Sequence, residues 1–236
     1  MYRWVSTIFK AATGDRLMAA SPCIRIALPK RVDIEVEPLS VSDVESLAAA
    51  VPDRYRALIV FAAGMGLRQG ERFGLTVDRV DFLRGQVRVD RQLISARAGV
   101  PEFGPPKSRA GFRIVPMPEV VRSALAEHLA RYGPGPAGLA FTNTLGKPLR
   151  RNTAGDMWHR AAKEAGLPGW ATFHDLRHFF ASLLIFRGCS VKAVQKRLGH
   201  QSAMETLDTY GHLWPDSDDE TRNAVDDVLA GLTAVG

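Results

Sequence analysis

Strand-forming residues are confined to one stretch of this chain. "RVDF" (79–82), "QVRVD" (86–90) and "RIVPM" (113–117) have strand character, and "ISARAGVPEFGPPKSRAG" is a long connection before the last of them. Elsewhere the signals are helical. One helix spans 2–18 and ends near Gly14 to Leu17; another is capped by Ser40 or Ser42 and runs through Ala50. "RYRALIVFAAGMG" forms a largely buried helix and "RQGERFGL" a short one, with further helices at 118–131, about 151–165, 173–187, 191–198 and 203–210. Without βαβ alternation a doubly wound parallel sheet is excluded. The expected fold is mainly α with a small antiparallel β-sheet, an α+β domain. "SPCIRIALPKRVDIEVEPLS" (21–40), with Pro22, Pro29 and Pro38, predicts an extended linker and a domain boundary.

The formal charge of +6 is unevenly spread. Residues 216–236 hold six acids (Asp216, Asp218, Asp219, Glu220, Asp226, Asp227) against Arg222 alone, a net of −5, so the other 215 residues carry +11. A basic body of this size favours a polyanion through release of condensed counterions. Charge alone still leaves open a basic protein that binds nothing. No run of about 18 apolar residues is present, and "MYRWVSTIFKAATGDR" lacks a signal peptide's layout. A cytoplasmic location is therefore expected, with Cys23 and Cys189 as buried, reduced thiols.

"TFHDLRHFFAS" (172–182) poses the chemical question. On a helix, His174, Arg177, His178 and Ala181 share one face, with Leu176, Phe180, Leu183 and Arg187 opposite, the first three as core candidates. Two histidines four apart resemble a zinc protease's ligand pair. Yet Arg177 stands between them, and a unit charge about 5 Å from a doubly charged ion costs roughly 7 kcal/mol at an effective dielectric of 20. Asp175 also occupies the place where such a protease needs the longer glutamate. A phosphate, by contrast, suits a guanidinium fork beside an imidazole donor. The other reading is a histidine and an arginine buried and satisfied by carbonyls.

Three further stretches carry charged candidates. "GMGLRQGERFGL" (64–75) sets Arg68 between glycines at a helix start, with Glu71 one turn on to orient it. "FGPPKSRAGFRIVPMP" (103–118) puts Lys107 in a hairpin-like connection, where it could give a proton to a substrate oxygen or simply be solvated. In "CSVKAVQKRLGHQSAMETLDTYGHLW" (189–214), Ser190 caps a helix with Val191, Val194 and Leu198 as its apolar stripe and Lys192, Lys196 and Arg197 outward. Gly199 ends it and leaves His200 in the turn. Ser202 and Glu205 then form a capping box for a short helix ending in Tyr210. Tyr210 is either a core residue near a loop histidine or a nucleophile on a small movable element.

"GLRQGE", a lysine in a β-hairpin, "HDLRH", "LGH" and the tyrosine of "TLDTYGHL", in that order, resemble the tyrosine recombinases, or phage-type integrases, over residues 38–215. "SAMETLDTYGHLWPD" and "MWHRAAKEAGL" are similar to actinobacterial and actinophage integrases in particular. The resemblance implies that Tyr210 attacks a DNA phosphate to give a 3′-phosphotyrosine, that Arg68 and Arg177 clamp the non-bridging oxygens, and that Lys107 protonates the leaving 5′-oxygen. It further implies acid–base exchange by His174, a phosphoryl contact from His200, support from Glu71, and a packing or hydrogen-bonding role for His178. No cofactor or metal is implied. The implied partner is a double-stranded DNA attachment site, bound as a homotetramer, with a monomer expected for the free protein.

On this resemblance, residues 1–33 correspond to the last helix of a core-binding domain and a linker, 34–215 to the catalytic domain and 216–236 to a tail. If the native chain is this short, half of a DNA clamp is missing, and poor affinity and site choice are expected. Residues 221–235 form an amphipathic tail helix with Ala224, Val225, Val228, Leu229 and Leu232 on its apolar side, docked on its own domain or on a neighbouring protomer. The competing readings are an inactive DNA-binding prophage remnant, a type IB topoisomerase and a zinc hydrolase built on His174 and His178.

Overall fold

The structure, a computed structural model, describes residues 2–28, 35–214 and 218–229. The chain divides into two units, residues 1–34 and 35–236. In the first, helix α1 (Tyr2–Gly14) buries none of its side chains, and Trp4 and Ile8 are exposed. Cys23 in this unit and Cys189 in the second are free and half-buried rather than buried. Residues 21–28 and 35–40 contain no helix or strand, and the middle of the expected linker lies outside the described residues.

The second unit begins where Ser40 accepts the Asp43 amide at 3.1 Å and Asp43 accepts the Ser40 amide at 2.8 Å, a reciprocal cap that starts α2 (Val41–Ala50). Helix α3 (Asp53–Met65) is apolar almost all round and runs through the main core. Its Leu58, Ile59, Phe61 and Ala62 are fully enclosed, in one cluster with Leu47, Val87, Val115 and Leu125. Each large side chain buried this way contributes about 1.5–3 kcal/mol relative to exposure. Helices α4 (Gln69–Phe73), α5 (Glu119–Tyr132) and α6 (Arg151–Glu164) complete that layer.

The strands depart from expectation. A three-stranded antiparallel sheet has the order β1 (Val80–Asp81), β2 (Gln86–Val89), β5 (Arg113–Pro116), with Val87 opposite Val115. A second, two-stranded sheet pairs β3 (Gln92–Ser95) with β4 (Glu102–Gly104), inside the stretch expected to be mostly connection. Three- and four-residue strands holding serine, glutamate and glycine give little propensity signal; their pairing is decided by the tertiary fold.

Helix α7 (Asp175–Phe186) lies between two cores. Leu176 joins the main cluster, whereas Phe180, Ala181 and Ile185 belong to a smaller one with Val194, Leu198 and Tyr210. Leu183, expected in the core, is 38% exposed, because the smaller core meets α7 on the Ala181 side instead. Helices α8 (Val191–Leu198) and α9 (Ala203–Tyr210) follow as two short, capped turns. Ser202 caps α9 by accepting the Glu205 amide, but Glu205 reaches back to the Gln201 amide rather than to that of Ser202, so the capping box is only half formed. The tail helix α10 is Asp218–Leu229, and its Ala224, Val225, Val228 and Leu229 are exposed; Leu232 of the expected apolar face lies outside the described residues.

Gly66 closes α3 in the left-handed region (φ 59°), and a Cβ there would stand 2.2 Å from Cδ1 of Phe180. Both constraints act together, so Gly66→Ala should destabilise the fold by about 2–4 kcal/mol in urea unfolding. Gly14→Ala, where a Cβ meets nothing within 4 Å, should leave the midpoint unchanged within error or slightly raised.

Candidate active site

The site is built on helix ends. The last carbonyls of a helix lack intrahelical partners and carry partial negative charge. Arg177, on the first turn of α7, spans two such ends: Nη1 donates to Gly66 O at 2.6 Å, after α3, and Nη2 donates to Leu198 O at 2.8 Å, at the end of α8. Arg68 donates from Nη2 to Gly199 O at 2.9 Å. Gly199 is left-handed (φ 69°), and a Cβ on it would press against the Arg113 guanidinium at 2.8 Å. Arg177 is 2% exposed. Burial, then Arg68, push its pKa down to about 10, opposed by Tyr210 and Glu71, so it remains a cation at neutral pH.

Glu71 joins these cations. Its carboxylate is buried and accepts from Arg113 Nη2 at 2.8 Å, from Arg68 Nη1 at 3.2 Å and from the Arg68 amide at 3.0 Å. Burial alone would raise its pKa, but the bond and charge of Arg113, with Arg68, outweigh that and hold it below the ordinary value. Arg113 also donates to the carbonyls of Arg197 and Gly111, both at 2.9 Å, tying β5 to the end of α8. Sequence reasoning missed Arg113, which reads as an ordinary strand arginine. It missed Arg72 too, a fully buried guanidinium 4.1 Å from the Phe173 ring centre, donating to Phe173 O and pushed down to about 9, first by burial and then by Arg177.

Tyr210 ends α9 inside the smaller core and is 1% exposed. Its hydroxyl lies 2.8 Å from Nδ1 of His178. His200 is buried and stacks parallel to the Tyr210 ring at 6.4 Å, with Nδ1 2.9 Å from Thr206 Oγ1. His174 heads α7, exposed at the rim, edge-on to His178 at 4.9 Å. Thr172 and Asp175 set that helix start, Asp175 accepting the amide and hydroxyl of Thr172 at 2.7 Å each. Both His174 and His200 are pushed down to about 4, first by desolvation; His178, Arg177 and Arg72 add to this at His174, and Arg177, Arg68 and Arg113 at His200. Burial pushes Tyr210 up to about 12, with Arg177 opposing.

The structure therefore brings together Arg68, Glu71, Arg177, His178, His200 and Tyr210, with His174 at the edge. Among the described residues no hydrogen bond or ion pair joins Lys107 to them. It lies just past the β3–β4 hairpin, exposed, lining a groove of about 640 Å³ with Gln69, Gln92, Arg97, Arg150 and Arg151. Gln69 follows Arg68, so the groove opens beside the arginine cluster. Among the described residues no three His, Cys, Asp or Glu side chains converge on a point that could hold a metal ion. What the cluster can do is receive an anion, since the buried carboxylate of Glu71 is set against four arginines, Arg68, Arg72, Arg113 and Arg177.

Glu71→Gln leaves Arg68 and Arg113 without their countercharge and should cost about 3–5 kcal/mol. A carboxylate with a depressed folded pKa stabilises above its unfolded value and loses that contribution as pH falls through the folded one. The wild type should therefore lose Glu71's share of stability below pH 4.5, its ordinary value, and urea midpoints of Glu71→Gln should lack that component.

The profile of the phage integrase family matches residues 37–216. The XerC-like tyrosine recombinase of Caldanaerobacter subterraneus subsp. tengcongensis is 28% identical over 240 residues, covering 90% of this chain and 61% of that protein. A prophage phiRv2 integrase of Mycobacterium tuberculosis is 32% identical over 211 residues, covering 87% of this chain and 56% of that one. The chain thus spans little more than half the length of these relatives. The Tn1549 transposon integrase, solved in complex with transposon right end DNA, is 25% identical with a TM-score of 0.76, covering 97% of this chain and 78% of that chain. With a helical core, small antiparallel sheets and a family match across most of its length, the chain belongs to the phage integrase family.

Proposed function

We propose that this chain is a site-specific DNA strand transferase that cleaves and rejoins DNA through a 3′-phosphotyrosine, in the integration and excision of a phage or mobile element. The observation that carries this reading is the placement of the Tyr210 hydroxyl on His178, beside the Arg177 and Arg68 cluster. Phosphoryl transfer needs chiefly positioning and stabilisation of charge on the non-bridging oxygens, and these arginines are held in place before substrate arrives. Arg68 and Arg177 take those oxygens, His200 adds a hydrogen bond, His174 exchanges protons at the rim, and Lys107 protonates the departing 5′-oxygen. Glu71 holds Arg68 and touches no reacting atom. The covalent intermediate conserves the phosphodiester energy, so rejoining needs no ATP.

The partner is a double-stranded attachment site in the bacterial cytoplasm; no helix among the described residues is long and apolar enough to cross a membrane. Residues 1–33 are assigned to the end of a core-binding domain, 34–215 to the catalytic domain and 216–236 to a tail that docks on a neighbouring protomer. A monomer in solution and a tetramer on DNA are expected by sedimentation, with the tetramer lost on truncation after Trp214. A tetramer that survives truncation would remove the tail from this role.

Incubation with a nicked attachment-site duplex in EDTA, followed by denaturation, should leave a protein–DNA adduct absent from Tyr210→Phe. Arg68→Ala and Arg177→Ala should each slow its formation by about 10²–10³-fold, the usual loss for a preorganised donor. Binding without an adduct would favour the inactive remnant.

A further inference from the structure

We propose that His178 is the catalytic base of strand cleavage: its Nδ1 takes the proton of the Tyr210 hydroxyl and returns it on rejoining. The inference rests on Tyr210 being the nucleophile; it moves the proton exchange at the attacking oxygen from His174 to His178, which thereby gains more than a packing or hydrogen-bonding role.

The first ground is geometric. Of the three histidines around Tyr210, His178 alone meets its oxygen, at 2.8 Å, with the two rings at 62°. His200 lies parallel to the phenol ring with Nδ1 turned to Thr206. His174 is one turn from His178, edge-on and exposed.

The second ground is the direction of the hydrogen bond. A buried hydroxyl must find an acceptor. Among the described residues the hydrogen-bond partner of the Tyr210 hydroxyl is Nδ1 of His178. The phenol therefore donates, and the imidazole carries its own proton on Nε2. Burial, with Arg177 adjacent, lowers the pKa of His178 and keeps the ring neutral and able to accept, while Asp175 on the same helix acts in the opposite direction and would stabilise an imidazolium. The groups facing the ring are thus His174, Asp175 and Arg177 from α7 and Tyr210 from α9.

The third ground is need. A phenol at about 12 is ionised to only about one part in 10⁵ at pH 7, so attack requires a base at hand. In the step proposed, the Tyr210 O–H bond breaks and its proton passes to Nδ1. The phenolate oxygen bonds to phosphorus, the P–O5′ bond breaks, and the electron pair leaves on O5′, which takes a proton from Lys107. In reverse, the 5′-hydroxyl loses its proton to the neutral lysine, attacks phosphorus, and the departing phenolate recovers its proton from His178.

The test compares adduct formation on a nicked attachment-site duplex with an ordinary scissile phosphate and with a 5′-bridging sulfur, whose thiolate leaves unprotonated. His178→Phe should slow the ordinary reaction by about 10²–10³-fold. His178→Asn, which accepts the hydroxyl's bond but cannot take its proton, should stay within about tenfold of Phe, its rate rising with pH where the wild type levels off. Sulfur should rescue Lys107→Ala and neither His178 variant. Wild-type rate in His178→Asn would reduce His178 to a positioning residue; faster cleavage in His178→Phe would make the bond a latch; sulfur rescue of the His178 variants would put the histidine on the leaving side. Each of these overturns the proposal. If the wild type forms no adduct, the strand-transferase reading fails by itself, and nitrogen-15 NMR of the DNA-free chain decides the hydrogen bond. An Nε2-protonated His178 whose Nδ1 signal shifts in Tyr210→Phe upholds the hydrogen bond from which the proposal is argued, and an Nδ1-protonated ring overturns the proposal.

Discussion

Arg177 joins two helix ends that would otherwise have little reason to meet. By donating to Gly66 O and Leu198 O it fastens the end of α3, in the main core, to the end of α8, in the smaller one. The partners are carbonyls and not carboxylates, which matters chemically. Helix C-termini offer only partial negative charge, enough to offset part of the cost of burying a guanidinium and too little to cancel it. The same holds at Gly199 for Arg68. Glu71 is the one buried carboxylate in the cluster, and it is shared between Arg68 and Arg113. The architecture thus assembles cations that are fixed in place and only partly neutralised, an arrangement that favours an anion and that the proposed phosphoryl transfer would use.

The residue proposed as nucleophile is held differently. Tyr210 belongs to the smaller core, on an eight-residue helix capped by Ser202 and followed by a short turn. Elements with few buried partners open locally at lower cost than a central helix such as α3. Under the proposed reaction a tyrosine 1% exposed must gain access to a phosphate, and its place on such an element separates that access from the arginine frame. On the proposed reading the site combines a fixed receptor for the anion with a nucleophile carried on a peripheral helix.

Much of this was legible in the residues. Amphipathic spacing, Ser40, Ser190 and Ser202 as caps, and Gly66 and Gly199 as stops are local signals, and the helices α2 to α9 follow them closely. The face shared by His174, Arg177 and His178 follows from helix geometry alone. The β3–β4 pair was not legible, since four residues of mixed character gain strand geometry only from the neighbour across the ladder. Nor was Leu183's exposure, because the choice between two faces of α7 depends on which side the smaller core lies.

The sequence by itself determined the helical elements, the charges available and the order in which they occur, because capping, periodicity and charge act over a few residues. Tertiary structure decided how those charges are used. Arg113 lies 42 residues from Glu71, Gly66 O lies 111 residues from the Arg177 side chain that it receives, and His178 lies 32 residues from Tyr210. Such contacts exist only once two cores have closed around α7. That closure gives a histidine read as packing or hydrogen-bonding its partner, the tyrosine's hydroxyl, and it leaves Lys107 in a neighbouring groove.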